Sequence, residues 1–526
     1  MSGFNLFRRV SQAPTNPHKA EPPGEVFDVA SLYEGPAETG EARTEAAPAL
    51  DEKLRQAYFW IVNNAIISPH YDVEFDVTRA ARFRVDAHGR LTLPSEQSYS
   101  SYVLLPLLTF ATRSKCLFIG GPGRGKTASA VLMGVLAGYP VREVRRAMQH
   151  GHPQMTVADL LGNPLPADLA QAQRMEDIRI AWRQWLGMRV KIIDEYNRIP
   201  TRTQSALLTV MGDNYAELLN HIYECPPAAW YLTANDDQGG GTYQVIEALR
   251  DRIDVIVQAL SFNPRFLGEL LLRVESGARP EELMPPEILF DEAEITAMGR
   301  AIRAVPLPPA LRRRIEFFAS QFELMPQAGS QFEYRTKDTA RLAGADWQQL
   351  VAADTGRDRL QDVGCQTRNG LSVRNLMTLL VFSKALAWFR GNGEVTLVDV
   401  RQILPFVLKD KLIPDLDAPF FALPENAALR TDRIAWLRNL FDLSNAEYDR
   451  LQLDADDPAS ALSAEFAAGL DGLEESEVRR RLQRIEQQVK ALSESGKLYG
   501  PQYDDLLLLK YLHQRYTNYL AWLRSR

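Results

Sequence analysis

Cysteine is scarce: Cys116, Cys225 and Cys365 are the only three in 526 residues, and none belongs to a CxxC pair. Disulfide frameworks and thiolate zinc sites both need several cysteines at short spacings. Neither organises this chain, and a reducing, cytoplasmic compartment is expected. Long apolar runs are missing too. No stretch approaches 18 uninterrupted apolar residues, and the two arginines within Met1 to Val10 are not followed by an apolar segment. Neither a membrane span nor an export signal is therefore expected. An excess of base is also absent, since 60 Lys and Arg stand against 67 Asp and Glu for a net charge of -7. A general nucleic-acid binder needs the opposite balance, because its affinity comes from displacing phosphate counterions. Nucleic acid is not the expected partner, although a small basic pore is compatible with these totals. His150 and His152 flank Gly151 without a third ligand nearby, which argues against a metal site there.

What is present is ordinary globular material: 45% of the residues are apolar, and the length accommodates roughly three to four domains. Residues 1–50 are rich in Pro, Gly, Glu, Ala and Thr and poor in large apolar side chains, so they are expected to form a flexible tail. Residues 51–105 read as a lead-in, with Leu54, Tyr58, Ile61, Val62 and Ile66 at helical spacing and a strand-like stretch after Val73. Within 106–262, strand-like segments at 115–119, 141–145, 190–193, 229–233 and 255–259 alternate with helical ones. That alternation predicts a parallel five-stranded sheet covered on both faces. Residues 263–413 are helical, with prolines at the breaks and an irregular insertion around 326–367. A last helical module is expected over 414–526. In it, Val478, Leu482, Ile485, Val489 and Leu492 mark an amphipathic helix that pairs with 504–523 or joins a short coiled coil.

The chemistry concentrates in two places. Gly120, Gly121, Pro122, Gly123, Arg124, Gly125, Lys126 and Thr127 fit the pattern GxxxxGK[ST], directly after a strand and opening a helix. Glycines let the backbone wrap around phosphate oxygens, and the N–H groups at the helix start add the positive end of a dipole. Lys126 would reach the outer phosphates of a nucleotide, and Thr127 would place its hydroxyl on Mg2+. The second protein contact to the metal falls to Asp194, at the end of the apolar run Val190 to Ile193. Glu195 adjoins it. On strand alternation the two carboxylates point to opposite sides, which leaves Glu195 to orient or activate a water. Asn235 ends another apolar strand, where an amide can contact a phosphate or the attacking water.

Taken together, these segments resemble the AAA+ ATPases of the MoxR group. The group's run DEINR-x-P…QxALLxxM is matched from Asp194 to Pro200 and from Gln204 to Met211, with Tyr196 in place of isoleucine. His152 to Gly162 is similar to its second-strand region, Leu232 to Asn235 to its sensor 1 strand, and Ala248 to Asp254 to its arginine-finger segment. The resemblance implies an AAA+ P-loop NTPase core of α/β class, an all-α lid and, here, a C-terminal helical domain. It implies ATP and Mg2+ as ligands and ATP hydrolysis as the activity. Arg252, placed where the family's Asp-Arg pair falls, would act as a finger in a neighbouring subunit's site, with Arg250 the alternative. Arg198 would serve a neighbour or form a local ion pair. Gly370-Leu371-Ser372-Val373-Arg374 is similar to the sensor 2 segment Gly-x-Ser-Pro-Arg, so Arg374 is expected to swing over the γ-phosphate as the lid closes. Asn214 to Glu224 resembles the hairpin that the family inserts in its core domain, with an ordinary polar loop as the alternative. A finger acting in trans implies a homo-oligomer, a hexameric ring. The family also implies a partner protein with a von Willebrand factor A domain, remodelled or activated in a chaperone-like way. The rival readings are a nucleic-acid-associated motor of the restriction-type branch and a nucleotide-gated scaffold without useful turnover.

Overall fold

Apolar side chains one helical turn apart carry the chain into its first element, helix α1 (Leu50–Asn64), which buries Leu54, Ala57, Tyr58, Ile61 and Val62. The computed structural model describes residues 49–525 other than 76–77, 87–88, 173, 175–176, 236–246, 278, 353–361 and 495–497. The tail expected over 1–50 lies almost wholly outside the described residues. After α1 come two antiparallel ribbons, β1 (Val73–Glu74) with β4 (Ser98–Tyr99), and β2 (Ala81–Arg84) with β3 (Arg90–Leu93). Helix α2 (Ser101–Thr112) then delivers the chain to the sheet.

The central region is built from β5 (Lys115–Ile119), α3 (Lys126–Leu136), α4 (Val141–Ala147), β6 (Gln149–His150) and α5 (Val157–Leu161). It continues through β7 (Gly162–Pro164), α6 (Pro166–Gln171), β8 (Ile180–Trp182), β9 (Val190–Asp194) and α7 (Thr201–Asp213). The hairpin β10 (Tyr215–Leu218) and β11 (His221–Glu224) follows, then β12 (Ala229–Ala234), α8 (Glu247–Asp251) and β13 (Val255–Gln258). Five strands form one sheet in the order β13-β5-β12-β9-β6, and every pairing in it is parallel. Helix α3 packs on β9 and β12, and α2 packs on β5, β12 and β13. The expected fold class stands, with one strand corrected. The segment 141–145 is helix α4, and the edge strand is β6, paired Gln149 to Ile193 and His150 to Asp194. Val141 and Val144 are three residues apart, a helical spacing. Pro140 precedes the helix, Glu143 lies in its first turn, and Arg145 and Arg146 lie in its last, all of which favour helix. Val144 packs so closely over Gly134 of α3 that a Cβ at Gly134 would come within 2.6 Å of it.

The rest is helical: α9 (Leu267–Ser276), α10 (Glu292–Ala304), α11 (Pro309–Ser320), α12 (Lys337–Leu342), α13 (Trp347–Ala352), α14 (Val373–Phe389) and α15 (Leu397–Leu408). Then come α16 (Pro419–Ala422), α17 (Arg433–Arg450), α18 (Pro458–Ala467), α19 (Glu475–Glu494) and α20 (Gly500–Ser525). Reciprocal capping boxes start α10 (Asp291 with Glu294) and α15 (Thr396 with Asp399), satisfying N–H groups that a helix start leaves open. Buried Lys337 stitches the insertion together, donating to the carbonyls of Gly364 and Thr367 at 2.6 and 2.7 Å. Helix α14 crosses α2 and α10, and α15 lies between α14 and α17.

Two apolar clusters result. The larger runs from Leu54 to Phe441 and includes Trp436 and Leu440 of α17. The smaller joins α18, α19 and α20 through Leu462, Val478, Ile485, Leu509, Leu512 and Tyr516. Helix α17 thus shares the lid's core, although the sequence places it beyond 413. Helices α19 and α20 pack against each other, as the amphipathic spacing of 474–493 suggests. Among the described residues no helix is long and apolar enough to cross a membrane.

Candidate active site

Ligands in open parallel sheets bind beyond the carboxyl ends of the strands, and there the loop after β5 meets the ends of β9 and β12. The loop's conformation depends on two glycines. Gly120 has φ 150°, and a Cβ there would lie 2.6 Å from the Ala259 carbonyl. Gly125 caps α3 with φ 77°, a region that only glycine enters without strain. Arg124 ties the loop to the end of β13, its Nη1 donating to Ala259 O at 2.9 Å. Lys126 is buried, and its Nζ donates to Gly120 O at 2.5 Å, Gly121 O at 2.8 Å and Asn235 Oδ1 at 2.8 Å. An ammonium has three hydrogens to give, and this one is aimed across the loop.

The carboxylates join the same network. Thr127 Oγ1 donates to Asp194 Oδ1 at 2.7 Å, and Thr233 Oγ1 donates to the same oxygen at 2.6 Å. Glu195 N donates to Thr233 Oγ1 at 2.9 Å, and Asn235 Nδ2 donates to Glu195 Oε1 at 2.9 Å. Lys126, Thr127, Asp194, Glu195 and Asn235 therefore form one connected set, as the motif order suggests. The two acids do not follow the strand alternation expected of them. The strand ends at Asp194, and Glu195 is left-handed at φ 53°, so it turns off the strand and its side chain comes to Asn235. Arg198 pairs locally with Glu195 at 3.3 Å.

Thr127 and Asp194 supply hard oxygen donors of the kind Mg2+ takes, and the glycine cradle leaves backbone N–H groups for phosphate. The residues fit both groups. No group of three or more His, Cys, Asp or Glu that could hold a metal occurs among the described residues. Mg2+ commonly takes few protein ligands and completes its shell with phosphate oxygens and water.

The two arginines lie elsewhere. Arg252 folds over Gly212, with Nη1 donating to Ala248 O at 3.2 Å and a buried Nε that has no hydrogen-bond partner. Arg374, expected from the sensor 2 resemblance to swing over the γ-phosphate as the lid closes, lies away from the phosphate loop in this arrangement. It pairs with Asp251 at 2.5 Å and lines a surface cleft with Arg252, Lys115 and Asp254. Helical geometry is the reason. Thr378, one turn after Arg374 on α14, donates to Asp254 Oδ1 at 2.9 Å, and this pins the shared flank of the helix at the starts of β5 and β13. The segment Asn214 to Glu224 is the hairpin β10–β11, turning through Leu219 and Asn220 at positive φ, with Ile222 exposed.

Several contributors escaped sequence reasoning. Thr233 bridges both acids. His150 is a strand residue whose Nδ1 lies 3.4 Å from Asp194 Oδ2. The signal for both was their place at strand ends beside β9. Beyond the loop lies a cavity of about 510 Å³ lined by Ile66, Ile67, Tyr102, Leu132, Phe262 and Leu270, among others. Burial raises the Tyr102 hydroxyl to about 12, partly offset by its bond from Ser129 at 3.1 Å, so it stays neutral. An apolar, partly aromatic chamber next to a phosphate cradle suits a flat heteroaromatic base.

Comparison with known proteins bears on the helical half and on the whole. Residues 360–430 match the family described as AAA lid domain. The chain is 26% identical over 231 residues to Chaperone MoxR1 of Mycobacterium tuberculosis, over 43% of this chain and 51% of that protein. It thus spans about half the length of the curated relative it matches. A crystal structure of a candidate ATPase from Cytophaga hutchinsonii matches at TM-score 0.46 and 17% identity, covering 74% of this chain and 94% of that one.

Proposed function

Starting from a kinship that supports a MoxR-type AAA+ ATPase, we propose that this chain hydrolyses ATP with Mg2+ and uses the cycle to remodel or activate a protein partner. The single observation that carries this reading is the connected set at the strand ends, where Lys126, Thr127, Asp194, Glu195 and Asn235 hold one another at hydrogen-bond distance. Electrostatic stabilisation and positioning are the main demands of phosphoryl transfer, and a prearranged polar network meets both.

In this proposal Gly120, Gly121, Pro122, Gly123, Arg124 and Gly125 shape the cradle and Lys126 neutralises the outer phosphates. Thr127 and Asp194 hold Mg2+, which when bound offsets phosphate charge. Glu195 accepts a hydrogen bond from the attacking water and orients it, and Asn235 fixes the Glu195 carboxylate. The base enters the chamber beside Tyr102. Arg252 acts in the site of an adjacent copy. Its cleft is lined by Lys115, the first residue of β5, whereas the loop follows Ile119, the last. That is about 13 Å of strand at ~3.3 Å per residue, too far for the side chain to serve its own loop. A site completed from a second copy implies a closed ring, a hexamer in this family. A chaperone-like role and a partner with a von Willebrand factor A domain follow from the kinship, and the exposed hairpin β10–β11 is the candidate contact.

The test is ATP turnover by the purified protein and by Glu195→Gln. The variant should bind ATP as the parent does and lose kcat by on the order of 100-fold or more. Unchanged turnover would remove Glu195 from this role, and ATP binding without turnover in the parent would favour a nucleotide-gated scaffold.

A further inference from the structure

Three contacts tie the helical lid to one short segment, the stretch around α8 that carries Arg252. Arg374 Nη1 meets Asp251 Oδ2 at 2.5 Å, Thr378 Oγ1 donates to Asp254 Oδ1 at 2.9 Å, and Lys411 Nζ donates to Arg250 O at 2.6 Å. They come from the start of α14, its second turn and the exit of α15, so both helices grip the same target. The grip is anchored to the sheet as well, because Asp254 Oδ2 accepts from Lys115 N at 2.9 Å. Among the described residues Arg252 has no such anchor on its guanidinium beyond the Ala248 carbonyl. Its direction therefore depends on how α8 is held.

We propose that Arg374 is a positioning residue that acts through Asp251: it fixes α8 so that Arg252 is presented to the nucleotide of the adjacent copy. The proposal rests on the reading of Arg252 as a group acting in trans. It assigns Arg374 to the neighbour's turnover and not to ATP held in its own subunit. A lid that moves with its own nucleotide would then move the finger offered next door, and the link between sites would run through Arg374 and Asp251. Lys411 supports the same device from the other side. Burial lowers its ammonium pKa, the carboxylates of Asp251, Asp254 and Asp410 act to raise it, and its bond to the Arg250 carbonyl holds the α8 backbone.

Mixing inactive copies separates the two assignments. Arg374→Ala alone should lower kcat about 10-fold or more while the Kd for ATP stays within about twofold. Mixed in equal amounts with Lys126→Ala, it should regain turnover, because an intact loop from one copy then meets a finger held by an intact Arg374 in the other. Random assembly places that pairing at about a quarter of the interfaces. If Arg374 served its own site, no interface would hold both intact groups and no recovery would appear. Arg252→Ala mixed with Lys126→Ala is the control. Recovery there without recovery for Arg374→Ala overturns this proposal and leaves the shared site standing, and recovery in neither overturns both. The pair Arg374→Asp with Asp251→Arg guards against simple loss of structure. The double exchange should recover turnover that each single exchange loses, and a double variant as inactive as its singles counts against the ion pair.

Discussion

The two ends of the β5–β12–β13 strands carry opposite kinds of polar arrangement. At the carboxyl ends Lys126, Thr127, Asp194, Glu195, Thr233 and Asn235 satisfy one another in a closed network. At the amino ends Arg252 lies in an open cleft where, among the described residues, it has one carbonyl partner and its buried Nε has none. Closed networks hold geometry against the pull of solvent, whereas an under-used guanidinium near the surface keeps its donors for something outside the subunit. On the proposed function, the same fold prepares a substrate cradle at one end and offers a catalytic group to a neighbour at the other. Three lid side chains, Arg374, Thr378 and Lys411, hold the second end, and one, Lys409, reaches the carboxyl end of β13 at Gln258.

The largest expected effect is at the closed end. Lys126→Ala should abolish ATP binding, read by equilibrium titration with a fluorescent ATP analogue. Retained affinity would break the contrast, since the network would then not be a phosphate cradle. Next comes Arg252→Ala, for which turnover should fall by about 1,000-fold with ATP binding preserved. Loss of binding instead would place Arg252 in its own site. Gly120→Ala should be milder. The new Cβ meets the Ala259 carbonyl 2.6 Å away on a backbone at φ 150°, so the loop shifts, and ATP affinity should drop about 10-fold with little change at the open end.

The smallest effect lies in the C-terminal helices and serves as a control. Asp504 and Asp505 lie in the second turn of α20. Burial, aided for Asp504 by Asp505 and Glu323, raises them to about 7 and about 6. Folding therefore favours their protonated forms. The stability they lend is fully present below the unfolded carboxylate range near pH 4 and is lost as pH rises through about 6 to 7. Asp504→Asn should raise the melting temperature at pH 8 by about 2 °C and flatten its fall between pH 5 and 8, with kcat unchanged. A variant less stable at pH 8 would contradict this account of α20.

Much of this was legible in the sequence because the loop and the acids sit in short motifs with fixed spacing. GxxxxGK[ST] and Asp194-Glu195 specify both chemistry and place, and the strands around them are uninterrupted apolar runs. The parts that escaped are set by packing between distant segments. Residues 141–145 have β-branched valines but a helical charge order and a glycine on α3 to pack against. The two-residue strand Gln149–His150 is too short to show a period. The apolar chamber beside the loop draws on Ile66, Tyr102 and Phe262, which no local pattern links. Arg374 sits in a recognisable motif, yet the contact of Thr378 with Asp254 decides which way its helix flank faces, and that contact joins positions far apart in the chain.

The central claim is that the site is shared between copies, and the most direct measurement is the ATP turnover of Arg252→Ala and Lys126→Ala after subunit exchange. Each alone should be inactive, and the equal mixture should reach about a quarter of the parent rate, since only interfaces that pair an intact loop with an intact Arg252 can work. A mixture as inactive as its components would show that Arg252 and the loop act within one copy, and the account would fail.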